Sequence, residues 1–203
     1  MPDEMRERLR DALEDSEYVS HEASKPEFLV YLMGPYKSFP PYESPPMGTD
    51  VATTRPTLDE IDERLAAGDL QLDADEALAL LVSLRRDLRA DTGVNAFLAT
   101  DPEISLHEMD AATQSIEFTK AATATVFVAP AMGDNLGVGI EVGSVCEHLD
   151  ERPLLEDVVF YGEADVDSSM VEAVSQRWHV TVDEFRSYDD LYRAVRTHLR
   201  AVA

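Results

Sequence analysis

Lysine occurs only three times in the 203 residues, at positions 25, 37 and 120, so the other basic residues are arginines. Against 17 basic residues stand 41 acidic ones, a net charge of −24. The acids run along the whole chain and do not form a tail. Such a surface repels nucleic acid and anionic membranes at ordinary ionic strength, so neither is expected as a partner. In molar salt the Debye length falls to ~3 Å and the self-repulsion is screened. Scarce lysine beside excess acid therefore points to a salt-adapted, halophilic protein. Cysteine occurs once, as Cys146, which excludes an intramolecular disulfide and a multi-cysteine zinc site. The five histidines (21, 107, 148, 179, 198) share no metal-ligand spacing, so no metal and no cofactor are expected. No apolar run approaches the ~18 residues of a membrane span. The stretch MPDEMRERLRDALEDSE is too charged for a signal peptide. These two absences lead to the expectation of a cytoplasmic protein.

What is present is a globular composition, 44% hydrophobic and 7% aromatic. Met5, Leu9 and Leu13 recur at helical spacing and predict an amphipathic helix over 3–17. Residues 1–26 read as a helical extension, and 27–203 as one α/β domain. EFLVYLMG (27–34) reads as a buried strand ending at a Gly34-Pro35 loop. A Pro-, Ser- and Thr-rich insert follows at about 39–72, with a short helix over 57–68 capped by Thr57. Helices are predicted over 73–93, 105–122, 139–149, 168–178 and 188–202, and strands over 94–100, 123–130, 154–162 and 179–185. The three arginines 85, 86 and 89 read as the solvated face of the 73–93 helix. Trp178 and Tyr192 read as core or edge, and Cys146 as a small buried hydrophobe.

Strands alternate with helices, and each strand is a continuous apolar run. That pattern predicts about five parallel strands covered on both faces, a three-layer α/β sandwich. Ligands bind such sheets beyond the carboxyl ends of the strands. Two glycine loops leave strands toward that end, Gly34-Pro35-Tyr36 and DNLGVGIEVG. In the second, Glu141 stands among Gly137, Gly139 and Gly143. Glycines let backbone approach a ligand closely, and an ionised carboxylate there can attack an anomeric carbon or steady an oxocarbenium-like transition state. The same pattern also suits a first-turn helix acid with glycines used only for turning.

The run ATVFVAPAMGDNLGVGIEVGSV is similar to a segment of the nucleoside 2-deoxyribosyltransferase superfamily. It most resembles the branch of 2'-deoxynucleoside 5'-monophosphate N-glycosidases. VYLMGPY (30–36) resembles that family's first strand and loop, and QSIEFTKAATATVFVAP its helix-then-strand unit. The resemblance implies a flavodoxin-like, Rossmann-like fold and cleavage or transfer of the N-glycosidic bond of a nucleoside or nucleotide. It places Glu141 as the nucleophile and Glu117 as the helix-borne acid that assists the leaving base. It also implies sugar and base contacts from Gly34, Pro35, Tyr36, Asn135, Gly137 and Gly139. Glu117 stands where the family carries aspartate, and no serine-rich or arginine-bearing phosphate loop follows Tyr36. A catalytically silent nucleotide-binding module of the same fold is the alternative. The resemblance further implies a homodimer or larger homo-oligomer.

Overall fold

The computed structural model describes residues 2–16, 18–19, 22–34, 59, 61, 63, 74–129, 143, 145–149, 157–163, 175–178 and 180–202. Nine elements are bounded within them: α1 (Pro2–Asp15), β1 (Lys25–Met33), α2 (Ala74–Thr92), β2 (Val94–Phe97), α3 (Ala111–Ala121), β3 (Ala124–Ala129), β4 (Val158–Glu163), β5 (Thr181–Phe185) and α4 (Tyr188–Val202). The Thr57 cap and most of the predicted 57–68 helix lie outside the described residues, as does most of the 39–72 insert.

The five strands form one sheet in the order β2-β1-β3-β4-β5, and every pairing is parallel. Both faces are covered, as the unbroken apolar runs require: β2 and β3 are buried at every position. Alternate residues of each strand feed opposite layers. On one face Val30, Leu32, Val126 and Val128 meet Leu81, Leu84 and Leu88 of α2, together with Leu191, Val195 and Leu199 of α4. On the other, Leu29, Tyr31, Met33 and Phe127 meet Leu9 and Leu13 of α1, Phe118 of α3, and Val145, Cys146 and Leu149 of a helical stretch at 145–149. The result is a three-layer α/β/α sandwich of flavodoxin-like order.

An aromatic knot fixes the second face. Tyr31 stacks on Phe97 at 5.2 Å, and Phe118 meets both rings edge-on at 5.7 and 6.0 Å. α1 is drawn in by more than its leucines. The Arg6 guanidinium donates to Glu27 O (2.7 Å), Thr123 Oγ1 (2.7 Å) and Ala121 O (3.2 Å), tying α1 to β1 and to the end of α3.

Two boundaries teach something physical. α2 stops at Gly93, whose φ of +73° is the left-handed conformation that glycine adopts without steric cost. Gly93 N returns to Arg89 O at 3.2 Å, and Gly93 O receives Lys25 N at 2.8 Å. α3 starts later than the periodicity suggests. Residues 105–109 make one turn, with Glu108 N and Met109 N both on Ser105 O, and the helix proper begins after Asp110.

The arginine face of α2 corrects the sequence reading. Arg86 is exposed, but Arg85 and Arg89 are buried at 8% and 5% exposure. Their partners come from β2 and the turn after it. Arg85 pairs with Asp101, while Arg89 Nη1 donates to Asn95 Oδ1 and to Ala96 O. Helical spacing alone cannot show a buried arginine, because the carboxylate that holds Arg85 is sixteen residues away.

Candidate functional site at the carboxyl rim

The strand order reverses between β1 and β3: the chain leaves β1 for one edge, then returns to its other side. In open parallel sheets the crevice at this switch point, beyond the carboxyl ends, is where ligands bind. β1 and β3 pair directly, from Val30 with Ala124 to Met33 with Phe127. The loops that leave them therefore start side by side, and these are the two glycine loops singled out in the sequence.

Gly34 begins the first loop and is buried. A Cβ added there would sit 2.5 Å from Leu81 Cδ1, so glycine lets α2 lie close against the end of β1. Pro35, Tyr36, Asn135, Gly137, Gly139 and Glu141 lie outside the described residues. Gly143, two residues past Glu141, is described and helical, and a Cβ on it would lie 4.0 Å from Trp178 Cη2. Trp178 is half-buried against the second core face, with the Arg177 guanidinium 5.0 Å above its ring and Arg177 paired with Glu147 at 3.2 Å. Tyr192 packs on the first core face. Cys146 is enclosed, and burial pushes its thiol up to about 11. It is a thiol rather than a thiolate at neutral pH, which suits a packed hydrophobe and not a nucleophile.

The turn after β2 forms the rim beside Gly34. Asp101 is fully buried there, accepting from Leu98 N at 2.7 Å and from the Arg85 guanidinium. Burial raises the pKa of its carboxyl, while Arg85 and the Leu98 amide pull it back. No surface remains on Asp101 for a ligand, so it locks the turn. Gln114 of α3 braces the same loop by donating to Ile104 O at 2.8 Å.

The acids on α3 stand at different heights. Thr123 N, just past α3, bonds Leu29 O. Gly34 is five residues further along β1, about 17 Å up the sheet. Asp110 stands about 18 Å above Ala122 along α3, level with the rim, while Glu117 rises only about 8 Å. Glu117 also accepts an ion pair from Lys120 Nζ at 2.9 Å. Asp110 is the helix cap: its carboxylate takes Thr113 Oγ1 at 2.7 Å and the amides of Ala112 and Thr113 at 3.1 Å. Those bonds, led by the Thr113 hydroxyl, hold it below the usual carboxylate range. It is exposed and ionised, a better hydrogen-bond acceptor than proton donor. Among the described residues no group of three or more His, Cys, Asp or Glu side chains is arranged to hold a metal ion.

The fold defines a flavodoxin-like α/β protein whose strand order reverses between its first and third strands. Residues 6–203 match the model of a domain of unknown function, DUF7509, and the chain belongs to that family. No curated protein and no solved structure matches it. Among the described residues no helix is long and apolar enough to cross a membrane.

Proposed function

We propose that the protein cleaves or transfers the N-glycosidic bond of a nucleoside or nucleotide at the crevice between β1 and β3. The observation that supports this most is the direct pairing of β1 with β3 at the switch point, since both loops that resemble the deoxyribosyltransferase motifs start from this pair. In this reading Glu141 attacks C1' and the base departs, leaving a glycosyl-enzyme that water or a second base resolves with retention. Gly34, Pro35, Tyr36, Asn135, Gly137 and Gly139 hold sugar and base, while Glu117, expected to assist the leaving base, stands below the rim in its pair with Lys120. The reading includes a cytoplasmic, salt-adapted homodimer or larger homo-oligomer in which a neighbour completes the pocket.

The test is chromatographic detection of free base after incubating the protein in high salt with deoxynucleosides and their monophosphates. Base release that Glu141→Ala reduces by about 10³-fold or more is the expected result. Release that persists undiminished in that variant overturns the nucleophile assignment.

A second reading, a nucleotide-binding module without catalysis, is favoured by the acids of α3. Asp110 is engaged in capping and Glu117 in its pair with Lys120, so neither is poised as a proton donor. A rise in melting temperature with a nucleotide, without any base release, selects this reading.

A further inference from the structure

The chain has a single tryptophan, Trp178, and it stands beside the segment that follows Glu141. Gly143 is helical, and Val145, Cys146 and Leu149 of the stretch at 145–149 pack on the second core face. Gly143 and Glu147 are one helical turn apart and share a different face of that stretch. Trp178 and its neighbour Arg177 both meet this face. A Cβ on Gly143 would lie 4.0 Å from Trp178 Cη2, so the edge of the indole lies next to the helix backbone there. Arg177 Nη2 pairs with Glu147 Oε2 at 3.2 Å, and the same guanidinium sits 5.0 Å from the centre of the Trp178 ring.

Of these two contacts the ring is the stronger hold. Arg177 and Glu147 are 65% and 58% exposed, and salt screens an exposed pair. Trp178 is half-buried on the same core face as Val145, Cys146 and Leu149, and apolar packing of this kind does not fade in salt. Its Nε1 is buried and has no hydrogen-bond partner among the described residues. Among them, packing alone sets where the indole lies, so the ring and the Gly143 backbone shift together.

Glu141 precedes Gly143 by two residues, which is at most about 7 Å of chain. A reacting group misplaced by about 1 Å can lose about 10²-fold in rate. We infer that Trp178 is a positioning residue for the proposed glycosidic site: it fixes the helix backbone at Gly143 and, through it, the carboxylate of Glu141. The inference rests on the reading of Glu141 given above.

The test uses the full-length chain in high salt. With one tryptophan in the chain, the emission of Trp178 is read without interference from another indole. 2'-Deoxynucleosides and their 5'-monophosphates are titrated, with binding followed in parallel by calorimetry. A member of this panel that binds is expected to change the emission with the same midpoint as its heat. Trp178→Ala is expected to lower kcat for base release about tenfold or more while KM stays within about twofold. Trp178→Phe keeps a ring and recovers most of the rate. Should Trp178→Ala fail to fold, the wild-type titration and Trp178→Phe carry the test. The inference is overturned if a ligand binds without any change in emission, or if Trp178→Ala loses melting temperature but releases base at the wild-type rate. The Glu141 reading survives either result. Binding that changes the emission without base release removes the nucleophile and leaves the placement of Trp178 standing. If no member of the panel binds, both readings fall.

Discussion

At the scale of single residues, Gly93 is the position where the backbone leaves least choice. Its φ of +73° costs any L side chain about 1–2 kcal/mol. An added Cβ would also fall 1.9 Å from Ser24 Oγ. Gly93→Ala should therefore lower stability by about 2–4 kcal/mol in urea unfolding. Removing Ser24 with a second change to glycine should recover the clash but not the dihedral cost. An unchanged midpoint for Gly93→Ala would refute the geometry at this turn. Gly93 was legible from its place after a strong helical run. Arg85 and Arg89 were not, because their burial depends on Asp101 and Asn95 rather than on anything in their own helix. A clue did exist, since Asn95 interrupts an otherwise apolar strand, and a buried amide calls for a polar partner.

At the scale of elements, α2 and α4 are joined by a ladder. Asp87 and Asp91 lie one turn apart on α2, and Tyr188 and Tyr192 one turn apart on α4. Tyr188 donates to Asp87 at 2.5 Å and Tyr192 to Asp91 at 2.6 Å. The two rings stack at 6.2 Å, with the Arg196 guanidinium over Tyr192. Burial and the hydrogen bond to Asp91 push the Tyr192 phenol from 10.0 to about 12, and Tyr188 rises further for the same kinds of cause. Above pH 10 the folded chain thus keeps protons that the unfolded chain has lost. Stability is full below that pH and falls as pH rises through about 12. Urea midpoints taken across this alkaline range should decline, and Tyr192→Phe should make the decline shallower. An identical slope in the variant would remove Tyr192 from the explanation. The apolar spacing of α4 (Tyr188, Leu191, Val195, Leu199) made that helix readable to its ends. The start of α3 was not readable. Ser105 with Glu108 three residues on imitates a helix-opening pair, yet Glu108 turns away to Arg8 of α1 at 2.6 Å. Asp110 caps the helix instead.

At the scale of the whole molecule, the parallel sheet and its two covered faces followed from continuous apolar strands spaced by helices. The strand order did not, since it depends on which face each crossover takes, α2 between β1 and β2 and α3 between β2 and β3. Of the candidate site, the sequence identified the loop that begins at Gly34, but not the close packing of Leu81 that makes glycine necessary there. The heights of Glu117 and Asp110 needed the register between α3 and β1. The net charge of −24 also acts at this scale. Raising salt from about 0.1 M to about 1 M shortens the Debye length from ~10 Å to ~3 Å, and self-repulsion fades with it. The urea midpoint in potassium chloride should therefore climb steadily over this range. A flat or falling midpoint would argue against salt adaptation.

The grip of Arg6 has a consequence in time. Its acceptor Ala121 lies 115 residues further along the chain. At ribosomal speeds of 5–20 residues per second, that carbonyl is made on the order of 10 s after the arginine that will hold it. Until then Leu9 and Leu13 have no completed sheet face to cover. α1 is thus translated well before the carbonyl that fixes it. During that interval the nascent helix, greasy on one side, is open to chaperones and proteases.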